Sequence, residues 1–193
     1  MEIKTETSLV VLTLDLSMKN TGWALGDMDG VQFGAVPFTV KAGVARAIRF
    51  VAFRAWIRVK LDEEQPDLVI YEESDPRRMP SGQAVNCAVG LRTVLEMECA
   101  TRAIQTRQMM PNALKKVFTG CGKATKGDKS AMKAAAAARF AEYNPQLDPG
   151  GDMADALALL WVWQNKPEVF EPKPKKPRLS RLSAKVASLD ARD

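Results

Sequence analysis

Four carboxylates stand where their surroundings make a charge costly. The apolar run 9–14 (LVVLTL) ends in Asp15, and a second run, 68–71 (LVIY), ends in Glu72. Asp152 and Asp155 stand three residues apart at the head of an alanine- and leucine-rich stretch, so on a helix they share a face. An acid beside a buried strand must be paired or bound to a cation unless it simply reaches solvent. If the two strands are parallel neighbours, Asp15 and Glu72 project from adjacent carboxyl ends, where α/β sheets gather their ligands. Asp152 and Asp155 also have a plainer reading. Asp152 follows Gly150 and Gly151 as an N-cap would, and Asp155 sits in the first turn, where the helix dipole favours an acid. Taken together, the four acids form a hard oxygen set suited to Mg²⁺ or Mn²⁺. Two such ions about 3.5 to 4 Å apart can clamp both oxygens of an in-line phosphoryl displacement. Glu73 is a rival to Glu72, but strand alternation sends the two to opposite faces.

The rest of the composition narrows the chemistry. The 193 residues contain no histidine, which removes Ser-His-Asp triads, Cys-His pairs and imidazole-ligated zinc together. Cys87, Cys99 and Cys121 are odd in number and widely spaced, so neither a disulfide framework nor a thiolate metal site is expected, and a reducing cytoplasm fits. The net charge of +5 suits a polyanionic partner. The first apolar run is too short for a signal peptide, and no stretch approaches the ~20 apolar residues of a membrane span.

The elements that must position the acids follow from periodicity. Run 9–14 reads as a buried strand, Asn20, Thr21 and Gly22 mark a turn into a second strand, and residues 31–40 make a third. Val44, Ala47, Ile48, Val51, Phe53 and Ile57 give a helix over 43–61, which Pro66 ends before the strand that finishes in Glu72. A long helix over 81–101, a short strand over 103–106 and a short helix from Pro111 come next. Alanine then favours a helix over 128–143, and a final helix covers 152–164. This order, three strands, helix, strand, helix, strand and closing helices, is that of an α/β RNase H-like fold, a mixed central sheet flanked by helices. Residues 1–165 are read as one nuclease-sized domain and 166–193 as a basic, proline-rich, disordered tail.

At this point a resemblance becomes specific. Asp15 followed by Ser17 and by Thr21-Gly22, then residues 68–72 (LVIYE), then residues 152–157 (DMADAL), resembles the acid motifs of the RuvC family in order and spacing. Lys115, five residues before the segment 120–126 (GCGKATK), resembles that family's lysine and its Gly-x-Gly-x-Ala-x-Lys segment. The resemblance spans about residues 8–164. It implies a homodimeric Holliday junction resolvase that makes paired nicks in four-way and other branched DNA, with Asp15, Glu72, Asp152 and Asp155 holding two Mg²⁺ ions and Mn²⁺ able to substitute. It further implies that Lys115 and Lys126 serve catalysis and that Lys115, Lys123 and Lys126 meet DNA. Each lysine could equally be an ordinary solvated one. The segment Asp15-Leu16-Ser17 lacks the Pro-Gly that commonly follows the family's first acid, which points to a divergent phage or viral branch.

Arg77 and Arg78, in the loop after Glu72, are read as DNA contacts at the junction centre or as a solvated loop. Trp161 and Trp163 are read as core. Two other functions remain in view. An actin-like ATPase or sugar-kinase fragment would also begin with an acid-ended strand, but needs a phosphate-cradling glycine after the acid that this chain lacks. A branched-DNA-binding protein without cleavage would keep the fold but not the acids.

Overall fold

The computed structural model describes residues 9–17, 19–26, 30–41, 45, 47–74, 79, 81–121 and 129–171. Strands β1 (Val11–Asp15), β2 (Asn20–Gly26) and β3 (Val31–Pro37) form an antiparallel meander. Helix α1 (Ala47–Glu64) leads to β4 (Leu68–Glu72), and α2 (Gly82–Ala100) leads to β5 (Gln105–Met109). The two crossovers place β4 and β5 parallel to β1, giving a five-stranded sheet in the order β3-β2-β1-β4-β5. Helices α3 (Pro111–Thr119), α4 (Ser130–Ala137) and α5 (Asp152–Asn165) follow.

Alternation along the strands divides the core into two layers. Leu12, Leu14, Val69 and Tyr71 face α1 and α2, where Phe53, Ile57, Leu91 and Leu95 close over them. Val11, Leu68 and Ile70 face the other way, toward α5 with α3 and α4 beside it. Thr13 belongs to this second face: its buried hydroxyl donates to the Ala156 carbonyl at 2.7 Å and fixes α5 across β1. Asp15 and Glu72 lie two residues beyond Thr13 and Ile70, so both emerge on the α5 face. Helices α1 and α2 are tied by Glu98, which accepts from Arg54 at 2.6 Å and Arg102 at 2.8 Å.

Helix α5 is apolar almost all round, with residues 154–160 buried, because it lies across the sheet while α3 and α4 cover its far side. Trp161 and Trp163 pack against this layer as expected, Trp161 edge-on to Phe118 with centroids 5.6 Å apart.

Several boundaries differ from the sequence reading. The fifth strand begins at Gln105 rather than 103, because Ala103 turns at φ 56° before it. The alanine-rich helix stops at Ala137 instead of 143. Arg139 leaves the helix to stack over Phe118 and Trp161 and to donate to the Phe118 carbonyl, so tertiary contacts override alanine's propensity. Packing also continues past Lys166: Pro167–Phe170 forms a 3-10 turn, Phe170 is buried against Trp163, and its carbonyl accepts from Arg107 at 3.0 Å. Residues 172–193 of the expected tail lie outside the described residues.

Candidate metal centre

Each acid reaches the centre by a different route. Asp15 and Glu72 end β1 and β4 one position past Leu14 and Tyr71, the last residues that these two strands pair with each other. Asp155 comes from the first turn of α5, whose N-terminus is brought down by Gly22 on β2, the residue paired with Asp15. One carboxylate oxygen from each of Asp15, Glu72 and Asp155 lies within 4.8 Å of the other two. Asp152 stands outside that trio but lines the same open cleft of about 480 Å³, together with Asp15, Glu72, Ser17 and Lys19. Its Oδ2 accepts from Asn20 Nδ2 at 3.3 Å.

Asp152 does not cap α5. The N-cap is Gly151, at φ +74°, and the capping side chain is Asp148, whose Oδ2 accepts from the Ala154 amide and the Tyr143 hydroxyl, each at 2.9 Å. The alternative that Asp152 is merely a cap is therefore excluded, since Asp148 already satisfies that orphan amide.

The electrostatics are those of crowded, desolvated like charges. Burial raises Asp15 well above its ordinary carboxylate range, the charges of Glu72 and Asp155 add to it, and Lys129 opposes them. Glu72 is pushed up to about 8, first by burial and then by Asp155, against Lys129 and Lys115. Burial also raises Asp155 despite the same two lysines, and raises Asp152 despite its bond from Asn20.

Lys129 was not singled out from the sequence. Its ammonium donates to Asp155 Oδ2 and lies 4.0 Å from Asp15 Oδ2. Burial alone would lower it, but the two carboxylates hold it above the ordinary lysine value. In the sequence it stands only three residues after Lys126, just before the alanine-rich helix. Lys115, on α3, is half-buried and close enough for its charge to lower Glu72 and Asp155. Arg77, Arg78, Lys123 and Lys126 lie outside the described residues.

The donor set fits a hard divalent cation. It contains only carboxylate oxygens, and Asp155 Oδ1 is buried without a hydrogen-bond partner among the described residues. Cations relieve the mutual repulsion that raises these acids. No helix among the described residues is long and apolar enough to cross a membrane.

The mixed sheet, its strand order and the helices on both faces define an α/β protein of the RNase H-like fold, with its acids gathered at the ends of the central strands. Within that class the chain is similar to RuvC proteins, in sequence as well as in fold. It is 27% identical over 159 residues to the crossover junction endodeoxyribonuclease RuvC of Nitrobacter hamburgensis, covering 80% of this chain and 88% of that one. It superposes on the Thermus thermophilus RuvC in complex with a Holliday junction substrate with a TM-score of 0.60, at 14% identity over 81% of this chain and 95% of that one. The yeast mitochondrial Holliday junction resolvase Ydc2 follows with a TM-score of 0.53, at 14% identity over 86% of this chain and 85% of that one. No family model matches the chain.

Proposed function

We propose that the protein is a divalent-metal-dependent endonuclease that resolves four-way DNA junctions by hydrolysing phosphodiester bonds. The observation that carries this reading is the convergence of Asp15, Glu72 and Asp155 within 4.8 Å in a chain related to RuvC.

Asp15, Glu72, Asp155 and the adjacent Asp152 would hold two Mg²⁺ ions, with Mn²⁺ able to substitute. When bound, the ions supply an activated water and neutralise charge on the scissile phosphate. The remaining roles fall to the chain itself. Leu16 and Ala88 give the cleft a partly apolar wall, which would strengthen the charge interactions beside it. Lys115, on α3 and close enough for its charge to lower Glu72 and Asp155, would stabilise negative charge on the phosphate. Lys123, Lys126, Arg77, Arg78 and the basic tail would hold DNA backbone. Paired nicks need two centres. Helix α2, with Val89 and Met97 exposed eight residues apart on one face, would supply the homodimer surface.

The decisive experiment is cleavage of a labelled, immobile four-way junction beside duplex, flap and nicked DNA, with Mg²⁺, Mn²⁺ and Ca²⁺ compared. Symmetric nicks in the junction with Mg²⁺ or Mn²⁺ support the reading. Junction binding without nicks under any metal would leave a DNA-binding module.

A further inference from the structure

We propose that Lys129 is a tethered counter-ion which competes with a divalent cation for Asp155 and Asp15, so that cation entry releases its ammonium into the cleft. The inference rests on the reading of the acids as a cation site.

Its basis is geometric. The ammonium donates to Asp155 Oδ2 and stands 4.0 Å from Asp15 Oδ2, so it sits against two of the three clustered carboxylates. A cation drawn to the same oxygens would meet a like charge at contact in a desolvated pocket, which disfavours holding both. The lysine's path is also built into the backbone. A Cβ at Gly151 would stand 3.1 Å from both Cβ and Cδ of Lys129, so the aliphatic stem runs closely over this residue and a side chain there would crowd it. Gly151 adopts φ +74°, the left-handed region that glycine enters without strain, and it directly precedes α5. One glycine thus starts the helix that carries Asp155 and opens the route by which Lys129 reaches it. The pairing is also incomplete in a telling way: Lys129 takes Oδ2 of Asp155, while the buried Oδ1 has no hydrogen-bond partner among the described residues. A single ammonium satisfies one oxygen of this carboxylate, whereas cations can engage both.

Competition has a sign that simple structural support does not. Removing the ammonium leaves the carboxylates without a counter-ion, so the metal-free protein loses stability, yet the same removal tightens cation binding. The test uses the full-length protein freed of metal with EDTA, in wild-type, Lys129→Met and Lys129→Arg forms. Mn²⁺ binding is followed by calorimetry and by the free-Mn²⁺ spin signal. We expect Lys129→Met to melt at a lower temperature without metal and to bind Mn²⁺ roughly 10-fold more tightly. Lys129→Arg, which keeps the charge, should return affinity toward wild type. Equal or weaker Mn²⁺ binding by Lys129→Met overturns the proposal while leaving the metal site intact. Absence of Mn²⁺ binding by every form overturns the metal site and this inference with it. A measurement on wild type alone covers the case in which Lys129→Met does not fold. Acetylation of Lys129, read by peptide mass spectrometry, should rise several-fold when Mn²⁺ saturates the protein, and unchanged or reduced labelling overturns the proposal.

Discussion

Gly22 lies directly beneath the first residue of α5: a Cβ at position 22 would stand 1.9 Å from the Asp152 carbonyl oxygen. Gly22 also pairs with Asp15 across β1 and β2. The absence of one side chain therefore sets how closely α5 can bring Asp155 to Asp15. The clash is with backbone, which cannot rotate away. Gly22→Ala should lower stability by about 1–3 kcal/mol, the usual cost of overpacking, and should weaken the Ca²⁺-induced rise in melting temperature. Thermal melts with and without Ca²⁺ measure both terms. A destabilised variant with its full Ca²⁺ response would show that the helix position is not what builds the centre.

The acids carry a pH signature. Glu72 titrates near 8 in the folded chain against an ordinary 4.5, and Asp15, Asp152 and Asp155 are raised as well. For a raised acid the unfolded chain ionises first, so stability falls as pH climbs from the unfolded value through the folded one. The metal-free protein should therefore lose stability between about pH 4.5 and about pH 8. Glu72→Gln, which never bears the charge, should gain on wild type across that window. Melts in EDTA at both ends of the window test this, and an advantage of equal size at both would contradict it. The same variant, like Asp15→Asn and Asp155→Asn, should abolish Mg²⁺-dependent nicking yet retain most junction binding. Glu73→Gln should be milder, since Glu73 lies past the end of β4 and, although it lines the same cleft, stands outside the clustered trio.

Much of this centre was legible in the sequence because it hangs on short-range order. Asp15 and Glu72 each end a continuous apolar run, so their place at a strand end was readable, whereas their common face depends on the parallel register of β1 and β4. Asp152 and Asp155 were legible as a pair on one helical face, but their rank was not. Which of them enters the trio depends on where α5 crosses the sheet, and that is set by Gly22, a residue far from α5 in sequence. Lys129 and Asp148 were missed for a related reason. Each acts on α5 from a neighbouring segment, and no local pattern distinguishes a lysine aimed at an acid cluster from one in solvent. The alanine-rich helix is shorter than its composition suggests for the same kind of reason, because propensity does not register the rings of Phe118 and Trp161 that capture Arg139.

The C-terminal boundary gives two truncations with different outcomes. Ending the chain after Asn165 removes Phe170, which is buried beside Trp163, and should cost about 3–5 kcal/mol, as removal of a core phenylalanine does. Ending it after Glu171 keeps Phe170 in place. It removes Lys173, Lys175, Lys176, Arg178, Arg181, Lys185 and Arg192 against only Asp190 and Asp193. This second truncation should leave melting temperature and single-turnover rate unchanged while flattening the salt dependence of junction binding, by about 0.9 in slope for each phosphate that the tail no longer neutralises. An unaltered slope would mean that the tail does not touch DNA.

Lys115 and the tail lysines should fail in different ways, because Lys115 registers electrostatically at Glu72 and Asp155. A lysine that merely grips backbone contributes equally before and during the reaction, so its removal weakens binding and spares the bound rate. A lysine facing the charge that grows on the phosphate contributes more in the transition state. Lys115→Met should therefore slow single-turnover cleavage on saturated junction by roughly 10- to 1000-fold with little change in affinity measured in Ca²⁺. Lys115 also lowers Glu72, so its removal should move the alkaline limb of the metal-free stability profile to higher pH, as the remaining charges hold Glu72 protonated longer. The two measurements are independent. A normal single-turnover rate would remove Lys115 from the chemistry, and a normal rate with a shifted stability profile would reduce it to a counter-charge for Glu72.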